Sequence, residues 1–276
     1  MALALFAGNG TVGNMNDPIL TQELEWHRDL RIGDTGPDVR RLQEWLILNG
    51  ITDNDEHKVV VDGTYGARSA AAALKARAFR GLPAKSDPAD ADLFRALSMP
   101  LRTAGQDLHL EPGSSFRDYV VGYARQHLSA RPHELAEQNS GPWVRYYMGG
   151  HQGPVWPWCA GFISKILRQA SSSTGVPIPF SLSYGCTELA RAADKVRRHV
   201  VGHAMPDETL RRLPGSVFVV PGHTQGLFSH TGIVLSVDGG IVVTAEGNTN
   251  EEGGRDGKVA RSHRRAITAL DFLLTD

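Results

Sequence analysis

The sequence predicts an α+β protein, helices first and an antiparallel sheet second. Three observations carry that prediction. Apolar residues recur at helical spacing through the first two thirds, as at Val39, Leu42 and Leu46. β-branched runs take over in the last third, at Val217–Val220, Thr231–Val237 and Ile241–Ala245, separated by glycine-containing turns that include Asp238-Gly239-Gly240. The length of 276 residues, at roughly 150 residues per domain, suggests two domains.

Taken in order, residues 1–27 are a mostly polar lead-in with two Gly-Asn pairs, Gly8-Asn9 and Gly13-Asn14, expected to fold against another part. Between Leu30 and Gly50 a helix is signalled by the turn Gly33-Asp34-Thr35-Gly36-Pro37, with Pro37 suited to the first helical position and Asn49-Gly50 ending the run. Val59-Val60-Val61 is a short extended piece, followed by the turn Asp62-Gly63-Thr64-Tyr65-Gly66. An Ala-rich helix from Ser69 to about Arg80 closes on Gly81-Leu82-Pro83, and Ala91–Leu97 forms a short third helix. Pro100, Gly105, Pro112 and Gly113 make Ser98–Ser115 read as a loop, and the domain boundary is placed there. Helices are expected over Phe116–Leu128, within Asn139–Gly150, over Trp158–Gln169 and over Thr187–Arg198. The three β-branched runs and a final strand at Ile267–Leu274 make the sheet.

Composition narrows the function classes. Lys plus Arg is 29 and Asp plus Glu is 30, a formal net charge of -1, which argues against a nucleic-acid partner and against charged disordered tails. No run approaches the 18 or so apolar residues of a membrane span, so no membrane insertion is expected. Met1–Gly8 is apolar but short and has no Lys or Arg before it, so no signal peptide is expected. Two cysteines, Cys159 and Cys186, are too few for a disulfide scaffold or a structural zinc site. They read as two thiols, at least one of them reduced.

Cys159 opens a helix directly after Trp156-Pro157-Trp158, where free backbone N–H groups and the helix dipole favour a thiolate. The dipole contributes only ~0.3–1 kcal/mol, so a nucleophile also needs a base. His230 opens the run His230-Thr231-Gly232-Ile233-Val234-Leu235, which would hold its ring rigidly. After the hairpin, Glu246 or Asn248 can reach the far ring nitrogen and fix its tautomer, as the third member of a triad does. A helix-start Cys, a strand-start His and an acid or amide on the neighbouring strand is the arrangement of papain-like thiol hydrolases. Cys186 also precedes a helix, but no base stands near it in sequence. It reads as buried core, with a redox or disulfide role as the lesser alternative.

Three segments resemble the signature blocks of the CHAP family, the cysteine, histidine-dependent amidohydrolases and peptidases. They are Trp158-Cys159-Ala160-Gly161-Phe162, Ser229-His230-Thr231-Gly232-Ile233-Val234 and Glu246-Gly247-Asn248-Thr249-Asn250. Glu137…Asn139-Ser140-Gly141-Pro142…Tyr146 looks like the region before the cysteine, and Pro214-Gly215-Ser216-Val217-Phe218-Val219 like the strand before the histidine, with Ser216 departing from a commoner Gly-Asp start. The resemblance implies Cys159 as nucleophile, His230 as base and then acid, and Glu246 with Asn248 as orienting groups, with Trp158, Asn139 and Asn250 on the substrate. A second resemblance covers roughly residues 28–98. Leu30–Gln43 and Val61-Asp62-Gly63-Thr64-Tyr65-Gly66 look like the two halves of a small helical peptidoglycan-binding domain, although Ala78-Phe79-Arg80 replaces the usual Phe-Gln ending.

The resemblances together imply a lead-in over 1–27, a small all-α three-helix peptidoglycan-binding domain over 28–98, a linker over 99–113 and a papain-like α+β domain with an antiparallel sheet over 114–276. The implied activity is peptidoglycan hydrolysis at a stem-peptide amide or at the N-acetylmuramoyl-L-alanine bond, by a monomer without cofactor or metal. The protein would be made in the cytoplasm and act in the periplasm or on the wall, with a holin, secretion machinery or an immunity protein as further partners. A phage-type endolysin and a secreted antibacterial effector both fit. The alternatives are an inactive wall-binding protein and a thiol amidase on a small non-wall amide.

Trp143, Tyr146, Tyr147, Trp156 and Trp158 are core or cleft wall, with Trp158 the leading cleft residue by adjacency to Cys159. His151, His199, His203, His223 and His263 match no compact metal motif, and Asp53-Asn54-Asp55-Glu56 reads as a polar turn.

Overall fold

Proline and a capping carboxylate start the first helix of the computed structural model, which describes residues 17–53 and 56–276. In α1 (Pro18–Leu24) the side chain of Asp17 accepts the N–H groups of Ile19 and Leu20. The rest of the expected lead-in, residues 1–16 with both Gly-Asn pairs, lies outside the described residues, as do Asn54 and Asp55 of the polar turn. Helix α2 (Pro37–Leu48) begins on Pro37 after Gly36 at φ 118, a conformation that favours glycine. It buries Val39, Leu42 and Leu46 as their spacing predicts. Helices α3 (Ala67–Phe79) and α4 (Ala91–Leu97) pack beside it. Buried Arg77 pins them together, donating to Asp90 Oδ1 at 2.6 Å and to the carbonyls of Pro83 and Pro88.

The expected linker is not all loop. Residues Met99–Ala104 form helix α5, with Leu101 and Ala104 buried. Pro100 suggested a break, yet it sits in the first turn, where the missing N–H has no helical partner to lose. Helix α6 (Phe116–Ser129) opens with a capping box between Ser115 and Asp118. It is followed by α7 (Pro142–Tyr147), α8 (Cys159–Thr174) and α9 (Cys186–Lys195).

Among the described residues six strands form one antiparallel sheet, so the fold is α+β. The strands are β1 (His199–Val201), β2 (Val217–Pro221), β3 (Phe228–Asp238), β4 (Ile241–Thr249), β5 (Val259–Ala266) and β6 (Asp271–Leu273), in spatial order β1-β6-β2-β3-β4-β5. Strands β3 and β4 make the expected hairpin through Gly239-Gly240, with Gly239 at φ 58. The expected final strand at Ile267–Leu274 is shorter, because its first residues make a 3-10 turn. Strands β1 and β5 have no counterpart in the sequence reading. β5 alternates charged residues instead of apolar ones, as suits an edge strand.

Successive residues of the central strands face opposite ways. Val217, Val219, Ile233 and Leu235 join the large core under the helices, while Phe218 and Val234 join a smaller core on the other face with Leu213, Leu270 and Phe272. Helix α8 packs on β3, β4 and α6. Its Gly161 lets α7 come close, since a Cβ there would collide with the Met148 sulfur and the Tyr147 carbonyl.

The large core is continuous from α2–α4 into α6–α8. Trp45 of α2 meets Trp143 of α7 edge-on, ring centroids 6.4 Å apart. Arg145 of α7 donates to both carboxylate oxygens of Glu23 on α1 and both of Glu44 on α2, at 2.6–3.0 Å. Burial opposes its charge, but these bonds outweigh burial and hold the guanidinium firmly protonated. Replacing Arg145 with Met strands two buried carboxylates, so urea denaturation is expected to show a loss of about 3–5 kcal/mol. A loss below about 1 kcal/mol would mean that this triad does not tie the helices together.

Candidate active site

Cys159 is the first residue of α8, a helix start with no side-chain cap. Its own N–H and those of the next residues therefore point out of the helix without intrahelical partners. The thiol is buried, and its Sγ lies 3.6 Å from the Sγ of Cys186, the first residue of α9. The hydrogen bond from Cys186 lowers the Cys159 pKa most. Burial opposes the thiolate, and the nearby His230 ring, with the Ala160 N–H, lowers it further, leaving it well below the ordinary thiol range.

His230 stands on β3, paired across from Val220 of β2. Its Nε2 donates to Glu246 Oε2 at 2.9 Å. Its Nδ1 is buried and has no hydrogen-bond partner of good geometry among the described residues, yet the ring is electrostatically linked to the Cys159 sulfur. Continuing the β3–β4 pairing from Ile233–Ala245 places Glu246 beside Gly232, two residues from His230, a diagonal that a long side chain can span. A Cβ on Gly232 would stand 2.9 Å from Glu246 Cγ and 2.7 Å from the Phe218 ring. The glycine thus clears the path along which Glu246 reaches the imidazole.

Glu246 is fully buried and saturated. Arg265 of β5 donates to both its oxygens at 2.6 Å, and the Thr244 hydroxyl donates to Oε1 at 2.5 Å. Burial pushes its pKa up, but Arg265 and His230 more than offset this and hold it at about 2. Burial likewise disfavours a charged His230, and the nearby Cys159 sulfur together with the bond to Glu246 overcomes that and holds its pKa at about 9. The arrangement therefore favours thiolate, imidazolium and carboxylate in a row, closed by a guanidinium.

Asn248 does not serve the histidine. Its carboxamide donates to Gly257 O at 2.6 Å and to Glu134 Oε1 and Asn139 Oδ1 at 3.2 Å each. The β4–β5 pairing shifts register between Glu246 and Thr249, and Asn248 adopts φ 55, so the bulge aims it elsewhere. Of the two orienting residues expected, Glu246 alone holds the ring.

The three expected substrate contacts are each held by bonds within the fold, and none lines the cleft at Cys159. Trp158 is fully buried, stacked on Tyr147 at 5.3 Å, with its Nε1 donating to Glu134 Oε1 at 2.8 Å. Adjacency to Cys159 pointed to the cleft, but the side chain of a residue at the helix entry turns back into the core. Asn139 is buried at φ 50, its N–H bonded to Glu134 Oε2 at 2.7 Å. Asn250 accepts the Gly254 N–H at 2.7 Å and closes the β4–β5 loop. Glu134, which no sequence motif singled out, is the hub of this network. Burial raises its pKa, and its hydrogen bonds and Lys258 pull it back down only in part.

The cleft at Cys159 has a volume of about 330 Å³ and is lined by both cysteines, Pro157, Tyr184, Glu188, Arg191, Phe228, Asn248 and others. A larger groove of about 670 Å³ adjoins it across Glu188 and Arg191 and runs along Ile178–Ser183. It is the bigger cavity, but the titratable cluster at Cys159 makes the smaller one the candidate site. Tyr184, 41% exposed, is the aromatic wall that Trp158 was expected to be. Sequence reasoning missed Arg265, Glu134 and the position of Cys186. Only Cys186 carried a local signal, since it too precedes a helix. Among the described residues no group of three or more His, Cys, Asp and Glu side chains is placed to hold a metal ion.

Comparison of the chain with protein-family models, with curated proteins and with solved structures returns no match.

A second buried histidine, His127, provides a control. Its Nδ1 accepts from the Tyr147 hydroxyl and its Nε2 donates to Gln169, and burial lowers its pKa to about 4. NMR titration is expected to find His230 near 9 and His127 near 4, with Glu246→Gln lowering the first and leaving the second in place. Through linkage, His230 stabilises the fold fully below about pH 6.5 and loses that contribution as pH rises through 9. Two histidines titrating together near 6.5 would contradict the described charge network.

Proposed function

We propose that this chain is a cysteine-dependent peptidoglycan hydrolase of the CHAP kind. In this reading residues 114–276 are its papain-like hydrolase portion and residues 28–98 its three-helix wall-binding portion. One observation carries the proposal: a helix-start thiol that lines a cleft and interacts with a histidine whose far nitrogen is held by a buried carboxylate. The motifs around those three residues direct the reading to peptidoglycan amides. The groove beyond Glu188 and Arg191 supplies length for an extended substrate.

In the proposed mechanism the Cys159 thiolate attacks the amide carbonyl carbon, and the C–N bond breaks as His230 gives its proton to the leaving nitrogen. The Cys159 N–H, free at the helix start, faces the oxyanion; one such donor is typically worth ~100–1,000-fold in rate. Water activated by the now neutral His230 then hydrolyses the thioester. Glu246 keeps the imidazole in the tautomer that presents Nδ1 to sulfur, and Arg265 keeps Glu246 ionised. A wall-binding portion raises the local concentration of enzyme on an insoluble polymer.

Cys159→Ala is expected to lower lysis of purified sacculi on the order of 10⁴-fold or more while leaving co-sedimentation with sacculi unchanged. Mass spectrometry of wild-type digests, reading the new amine and carboxyl ends, identifies the bond cut. Undiminished lysis by the variant would overturn the mechanism. The pH profile of lysis should fall above about 9, as His230 loses the proton it must donate.

A further inference from the structure

The Cys159–Cys186 pair is unexplained by amide hydrolysis, which needs one thiol. Both residues start helices, both are nearly buried, and both line the same 330 Å³ cleft. They stand 27 positions apart in sequence, yet their sulfurs lie 3.6 Å apart. A disulfide bond measures about 2.05 Å, so a closure of roughly 1.5 Å joins them.

We propose that Cys186 is a resolving thiol, and that a hydroperoxide entering the cleft converts the pair reversibly to a Cys159–Cys186 disulfide that silences the nucleophile. The disulfide stands on the sulfur geometry alone, while the silencing of a hydrolase rests on the function proposed above. In the first step the Cys159 sulfur attacks the nearer peroxide oxygen, the O–O bond breaks, and the departing alkoxide or hydroxide takes a proton from His230. The product is a sulfenic acid at Cys159. In the second step the Cys186 sulfur attacks that sulfur, the S–O bond breaks, and the hydroxide leaves as water with the Cys186 proton. Two thiols have then lost two electrons to one peroxide, and a dithiol reductant returns them by exchange.

The charges suit this division of labour. The hydrogen bond from Cys186 helps make Cys159 the thiolate, and the resulting negative charge keeps Cys186 protonated as the reserve thiol. The pair also protects the site, because a sulfenic acid captured as a disulfide cannot go on to the irreversible sulfinic and sulfonic acids.

The test uses the full chain, reduced, freed of reductant and treated with one equivalent of hydrogen peroxide. Free thiols are expected to fall from two to none, the intact mass to drop by two hydrogens, and a peptide map to join Cys159 to Cys186. Dithiothreitol should restore both thiols. In Cys186→Ser and in Cys186→Ala, given three equivalents of hydrogen peroxide alongside wild type, Cys159 should instead reach the sulfinic or sulfonic acid, gaining two or three oxygen atoms that dithiothreitol does not remove. Persistence of both thiols, a disulfide between two chains, or equal over-oxidation of wild type and variants would overturn the proposal. Sacculus lysis is read in parallel. Lysis that continues with the disulfide formed refutes the hydrolase reading and leaves the disulfide standing. A lytic protein that never forms the disulfide refutes the switch alone.

Discussion

A carboxylate cut off from water, Glu246, is the constraint on which the site depends. A lone buried carboxylate would take up a proton and lose its grip on the imidazole. Arg265 prevents this with two parallel hydrogen bonds, and Thr244 adds a third donor. The Cys159 sulfur and the negative charge so retained hold His230 charged, and Cys186 and the charged ring in turn favour the Cys159 thiolate. Each ionisation supports the next through a short bond or a close charge, and the carboxylate end stays fixed because Arg265 and Thr244 hold it.

Glu134 plays a parallel part without entering the row. It gathers the Trp158 indole, the Asn139 backbone and the Asn248 carboxamide from three separate segments. Those contacts fix the approach to α8, and thereby where the first turn of that helix places its sulfur. Precision at Cys159 thus comes from a polar cluster wrapped in aromatic rings, with Tyr147 stacked over Trp158. Chemical reactivity and mechanical placement are assigned to two different carboxylates.

Much of this was legible in the residues. Helix starts and stops followed from Pro37, Asn49-Gly50 and the apolar spacing, and the central strands from their β-branched runs. His230, Glu246 and Cys159 stood out because each occupies a position where an element begins or a strand neighbours another. What stayed hidden depends on distance in three dimensions. Arg265 lies in a strand whose alternation is charged, so neither strand nor partner could be read. Trp158 pointed the wrong way because adjacency along the chain says nothing about which side of a helix entry faces solvent. Cys186 reads as an ordinary helix-start residue until the loop before α9 folds it against Cys159. Pro100 misled because a proline in a first turn and a proline in a loop look alike in sequence.

The bidentate grip of Arg145 on Glu23 and Glu44, with Trp45 against Trp143, has a consequence for how the chain can be divided. The segment before residue 98 is stitched by charge and by aromatic packing to the layer that carries Cys159. Cutting between them would expose a ring, a guanidinium and two carboxylates that now satisfy one another. The two ends of the molecule should therefore melt together, and grafting either onto a foreign partner would require rebuilding this seam, unlike a bead on a flexible string.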